Sequence, residues 1–158
     1  MSDTQTAPNR VPWPPIIYLA AIAASVALGV LYPLPWISAP ISDLLFATGW
    51  LAAIAALAML VSAIRTMVRA RTTLNPNAAA DHLVTTGPFS FTRNPMYLGN
   101  TLMMIGIGLI TGIVWFFVFA ILAAFLTRKL GIEREEKHLE ARFGKRYRDY
   151  AKRVRRWI

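Results

Sequence analysis

The chain reads as an all-α, polytopic membrane helix bundle of about four spans, followed by an amphipathic helix on the cytoplasmic side. Three observations predict this. Of 158 residues, 56% are hydrophobic and 16% charged, where soluble domains carry roughly 25% charge. The charges are segregated: no Asp, Glu, Lys or Arg occurs from Val11 to Ser42, from Leu44 to Ile64, or from Asn94 to Thr127. Apolar runs of ~20 residues are long enough to cross the hydrocarbon of a bilayer. Finally, 12 of the 17 Lys and Arg residues lie from Arg128 onward, directly after an apolar block.

The formal net charge of +9 raises nucleic acid as a partner, but basic residues clustered beside apolar blocks fit anionic membrane lipid instead. No nucleic-acid partner is expected. The chain has no cysteine, which removes disulfides, thiolate ligands and a cysteine nucleophile. A single membrane domain over residues 1–158 is expected, with an arm and two spans in 1–71 and a second half in 72–158.

In chain order, residues 1–15 carry Pro8, Pro12, Pro14 and Pro15 and are expected to form an irregular arm, with Trp13 at the interface. The first span is expected from Ile16 to about Tyr32, as a retained span and not a cleaved leader. Pro33, Pro35 and Pro40 end it in a loop whose one charge is Asp43, which fits the outer side. The second span is expected over about 44–64. Its alanines permit close helix approach where no hydrophobic force drives association.

Residues 65–93 form a long inner connection with turn signals at Leu74-Asn75-Pro76-Asn77 and Gly87-Pro88; connections of this length are often functional. Asn94-Pro95 opens a helix, Asn suiting the N-cap and Pro the first position. The uncharged block of 34 residues that follows would make a helix of ~50 Å, too long for a ~30 Å core. Thr111-Gly112 divides it into a hairpin, about 95–110 and 113–127. The tail from 128 places Ile132, Leu139, Phe143, Tyr147, Tyr150, Val154 and Trp157 on one stripe, with Gly144 as a potential break. Both termini are expected in the cytoplasm, in a bacterial inner membrane.

Glu135 and Glu136 fall on or beside that apolar stripe. Two readings fit: carboxylates awaiting a partner or a cationic ligand, or first-turn acids complementing the helix dipole and nearby arginines. Arg93 can snorkel to lipid phosphate or pair with these acids. Tyr97 lies one turn inside the third span, as an interface aromatic or a pocket wall. His82 and His138 have no paired spacing, and no metal site is expected.

Together these pieces resemble the isoprenylcysteine carboxyl methyltransferases and bacterial phospholipid N-methyltransferases, a family of integral membrane methyltransferases. The resemblance rests on Leu83-Val84, Gly87-Pro88-Phe89, Arg93-Asn94-Pro95-Met96-Tyr97-Leu98-Gly99, a hydrophobic hairpin, Glu135-Glu136-Lys137-His138-Leu139, Phe143-Gly144, Tyr147, Tyr150 and Arg153-Val154-Arg155-Arg156. It covers residues 72–158. It implies S-adenosylmethionine as methyl donor, with contacts at His82, Leu83, Val84, Phe89, Asn94, Pro95, Met96, Tyr97 and Glu135.

Carboxylates and aromatic faces suit the donor's sulfonium and ammonium. Within this reading Glu135 fixes the cofactor, Arg93 supports the acidic pair, and Glu136 is structural or faces substrate. The histidine of the family pattern is Asn94 here, which cannot titrate, so a general base is not expected at that position. The substrate-binding arginine of the prenylcysteine enzymes corresponds to Gly131, so a smaller lipophilic acceptor (amine, thiol or carboxylate) is as open as a prenylated C-terminus. A membrane reductase of the sterol-reductase type, using NADPH, is the rival enzyme class. The paired acids favour a sulfonium donor over an extra phosphate. A non-enzymatic membrane protein is the third class.

Overall fold

The computed structural model describes residues 12–72 and 82–158. The turn expected at 74–77 and most of the N-terminal arm lie outside the described residues. Within them the chain is an all-α membrane helix bundle: α1 Trp13–Leu31, α2 Ile41–Arg69, α3 Pro95–Thr111, α4 Trp115–Thr127, α5 Glu133–Phe143 and α6 Lys145–Arg153. A 3-10 turn spans Gly87–Ser90, and one π turn, Arg128–Ile132, joins α4 to α5. Among the described residues no strand forms; one parallel bridge links Thr92 and Arg155.

Three helices are long and apolar enough to cross a membrane: α1, α2, and the continuous helix Trp115–Phe143; α3 is shorter but apolar. Leu19, Leu44, Trp50, Leu51, Ile54 and Ile121 each leave half or more of their surface outward. A soluble fold would bury such a surface; on a membrane protein it faces lipid.

The helix ends differ from the sequence expectation in three places. Helix α1 begins at Trp13, not Ile16, with prolines in its first turn. Those positions have no intrahelical acceptor for their N–H groups, so proline loses nothing there. Helix α2 runs beyond Ile64 to Arg69. Its 29 residues reach about 43 Å, so its last turns carry Arg65 and Arg69 past the hydrocarbon. Finally, α4 ends at Thr127 as expected, but the π turn carries it on into α5 without a break. The charges there mark where the polypeptide leaves the apolar phase, and backbone hydrogen bonding continues through the π turn. The break falls at Gly144, whose φ of 52° is a left-handed value that glycine adopts without a Cβ clash.

Helix α2 lies mainly against α3, α3 against α4, and α4 against α1. The α2–α3 seam is backbone-close. A Cβ on Gly106 would stand 3.0 Å from both the Ala53 nitrogen and the Gly49 oxygen. Ala56 and Ala63 are fully buried. Small residues allow this approach, and dispersion across it holds the helices together in lipid.

At one end of the bundle, Trp115 donates its indole N–H to the Tyr32 carbonyl at 2.8 Å, and Trp36 stacks on Phe117. The opposite end gathers the first turn of α1, the last turns of α2, the start of α3 and the π turn: Gly131 abuts Pro14, and Gly87 abuts Thr66. The candidate site lies at this second, basic end.

Candidate functional site

Residues 82–97 descend onto the start of α3 and are pinned from both sides. Tyr150 on α6 donates its hydroxyl to the Phe89 carbonyl at 2.6 Å. Tyr147, Tyr150 and Val154 form a buried cluster against which Leu83, Leu139 and Phe143 pack. The apolar stripe of the tail is therefore real, but it faces this segment of the protein and not an open leaflet. From the other side, Tyr18 on α1 donates to the Tyr97 carbonyl at 3.1 Å and shares a 2.7 Å hydrogen bond with Thr101.

The two acids of α5 diverge. Adjacent residues on a helix point about 100° apart, and each acid meets a different neighbour. Glu135 accepts a hydrogen bond from the Tyr97 hydroxyl at 2.6 Å. Glu136 is held by two guanidinium groups: Arg156 donates through Nε at 3.0 Å and Nη2 at 2.6 Å, and Arg93 Nη2 lies 3.3 Å away. A two-pronged guanidinium–carboxylate contact fixes direction as well as charge. Arg93 also donates from Nη1 to the Tyr147 hydroxyl at 3.1 Å.

The electrostatics follow from this placement. Burial, then the neighbouring Glu136 charge, pushes the Tyr147 hydroxyl up to about 12, against the opposing pull of Arg93. Tyr147 therefore accepts from Arg93 as a neutral phenol. The hydrogen bond to Glu136 raises Arg156 above its ordinary value, so the guanidinium stays protonated. An open groove of about 530 Å³ between α5 and α6 has Arg93, Glu136, Tyr147 and Arg156 in its lining.

Of the residues singled out from sequence, Arg93 joins Glu136 and Tyr97 joins Glu135. Arg93 is thus a protein ligand of one acid and not a lipid anchor. Asn94 occupies the N-cap position of α3 but makes no side-chain cap. Its Nδ2 instead donates to the Arg156 carbonyl at 2.8 Å, which ties the start of α3 to a segment distant in sequence. Pro95 is the first residue of the helix and buried. Met96, Val84 and Leu83 are half-buried, whereas His82 is exposed, its backbone N–H 3.5 Å from Thr72 Oγ1. Among the described residues no cluster of His, Asp and Glu suits a metal ion.

Sequence reasoning missed Arg156 as a partner of Glu136, and the fully buried Thr92. Arg156 sits in a basic run, where nothing in the spacing distinguishes the residue that folds back from those that face water.

No individually curated protein matches the chain. Residues 44–146 match the phospholipid methyltransferase family. That segment takes in α2 from its second turn on, the loop, the helical hairpin and the paired acids; the chain belongs to the phospholipid methyltransferase family and is an integral membrane methyltransferase.

Proposed function

We propose that the protein transfers a methyl group from S-adenosylmethionine to a lipophilic or small acceptor at the cytoplasmic face of the membrane. The observation that carries this reading is the contrast between the two acids. Glu136 has its charge answered by Arg93 and Arg156, whereas the partner the structure gives Glu135 is the uncharged Tyr97 hydroxyl. A half-buried carboxylate whose partner is a neutral phenol fits a cationic ligand.

When bound, S-adenosylmethionine supplies an electrophilic methyl on a sulfonium. Glu135 would hold the donor's positive charge, with Tyr97 fixing the carboxylate and adding an aromatic face. Asn94, Pro95 and Met96 would border the adenosine, with His82, Leu83, Val84 and Phe89 as the outer wall. Arg93 would act at one remove, keeping Glu136 turned from Glu135. Methyl transfer is an in-line displacement, so the protein aligns nucleophile and donor and excludes water. No residue need form a covalent intermediate.

The acceptor reading is sharpened by Gly131. A Cβ there would stand 3.0 Å from Pro14 Cγ, so the position is closed by α1. This favours a smaller lipophilic amine, thiol or carboxylate over a prenylated protein C-terminus. The basic end, with both termini, would then face the cytoplasm of a bacterial inner membrane against anionic lipid.

The test is calorimetric titration of detergent-purified protein with S-adenosylmethionine and, separately, NADPH. A tritiated-methyl assay on a membrane extract then identifies the labelled product. Binding of S-adenosylmethionine alone is expected; binding of NADPH alone would establish the reductase reading, and binding of neither the non-enzymatic one.

A further inference from the structure

The last residues of the chain do more than add charge. After α6 the backbone runs extended from Val154 and lies beside residues 92–94. The Arg155 carbonyl accepts the Arg93 N–H at 2.9 Å. The Arg156 carbonyl accepts Asn94 Nδ2 at 2.8 Å and the Thr92 hydroxyl at 3.3 Å. Two successive carbonyls thus hold three successive residues at the entrance to α3. The Arg156 side chain meanwhile closes on Glu136 with both prongs.

This arrangement decides which way the Asn94 amide points. A backbone carbonyl only accepts, so the amide atom facing it must be the nitrogen. The amide oxygen is then left as an acceptor. The same residue turns Glu136 toward α6, leaving Glu135 as the acid that faces α3.

We propose that Arg156 is a positioning residue for the methyl-donor site: its carbonyl sets the Asn94 amide and its guanidinium sets Glu136. The inference rests on the S-adenosylmethionine reading above. It also stands apart from it, because the clamp itself can be read without cofactor.

The experiment compares three variants of the full-length protein in detergent: Arg156→Gln, Arg156→Lys, and a chain ending at Val154. Donor affinity is measured by calorimetry, and backbone protection at residues 92–97 by hydrogen exchange without ligand. Loss of a charge-assisted two-pronged contact should weaken donor binding about tenfold in Arg156→Gln, with partial recovery in Arg156→Lys. Protection at 92–97 should fall further in the truncated chain, which loses the carbonyls as well.

A purely structural role would lower protection and thermal midpoint while leaving donor affinity within about twofold, and that result would overturn the proposal. If the wild-type protein binds no S-adenosylmethionine, the functional reading fails instead, and the clamp is judged on exchange alone. Unchanged protection at 92–97 in the truncated chain would then sink it.

Discussion

Tyr97 and Glu135, 38 residues apart in sequence, meet through a 2.6 Å hydrogen bond in which the phenol donates to the carboxylate. The bond joins the first turn of α3 to the first turn of α5, closing the helical hairpin at its basic end. Among the described residues it leaves the carboxylate's charge without a cation, unlike that of Glu136. Glu135→Gln keeps the shape and removes the charge. Donor affinity is therefore expected to fall by a factor of ten or more, an ion-to-cation contact outweighing its neutral counterpart by about 1.5 kcal/mol. Tyr97→Phe should show a smaller loss, since it removes one hydrogen bond and leaves the carboxylate in place. Titration calorimetry on both variants checks this; equal affinity in Glu135→Gln and wild type would remove Glu135 from the cofactor site.

Glu136 carries a different expectation, on stability. Its removal leaves Arg93 and Arg156 facing each other in a region where their side chains are 15% and 27% exposed. Breaking a fully buried pair costs about 3–5 kcal/mol; partial exposure lowers this to about 2 kcal/mol for Glu136→Gln. The double variant Glu136→Gln with Arg156→Gln should be no less stable than Glu136→Gln alone, because one of the two stranded cations, and their mutual repulsion, is then gone. Denaturant unfolding in detergent measures both, and strict additivity of the two changes would show that the pair does not act as a unit.

Most of the bundle could be read before any coordinate. The uncharged blocks place the helices, and Gly112, with φ of 69°, turns the hairpin where a glycine breaks the long apolar run. Two things were hidden, for one physical reason. Charge at Arg128 marks the end of the hydrocarbon, and a helix does not stop where its solvent changes. Likewise, the basic run at the C-terminus reads as a solvated tail because nothing periodic marks a residue returning across the bundle. Arg156 reaches Asn94 over 62 positions, a distance at which local pattern carries no information. The candidate site was legible as a pair of misplaced acids, but that Glu136 takes both guanidinium groups and Glu135 the Tyr97 hydroxyl was decided only in three dimensions.

Tyr147 gives a pH-dependent expectation. Its hydroxyl is pushed up to about 12 from an ordinary 10.0, chiefly by burial. Between those values the unfolded chain has lost the proton and the folded one retains it, so folding binds the extra proton. The contribution is fully present below pH 10 and is lost as pH rises through 12. Wild-type stability should therefore drop across that window more steeply than that of Tyr147→Phe. Parallel unfolding curves at pH 9, 10 and 11 test this, and identical slopes for the two proteins would refute it.

Gly131 offers the sharpest test of the acceptor class, because one substitution restores the arginine that prenylcysteine enzymes carry at this position. If the two sites were built alike, Gly131→Arg should gain activity on a prenylated cysteine. The packing argues otherwise. Even a single methyl group here would stand 3.0 Å from Pro14 Cγ, inside ordinary van der Waals contact, and Pro14 is fixed in the first turn of α1. A full arginine side chain must displace that turn or be forced off its rotamers, at about 1–3 kcal/mol or more. The expected outcome is a lower thermal midpoint, no new methylation of a prenylcysteine, and, in Gly131→Ala, a milder loss of stability with donor binding intact. Methylation of the prenylcysteine by Gly131→Arg would show that α1 yields and that the acceptor site is the larger one.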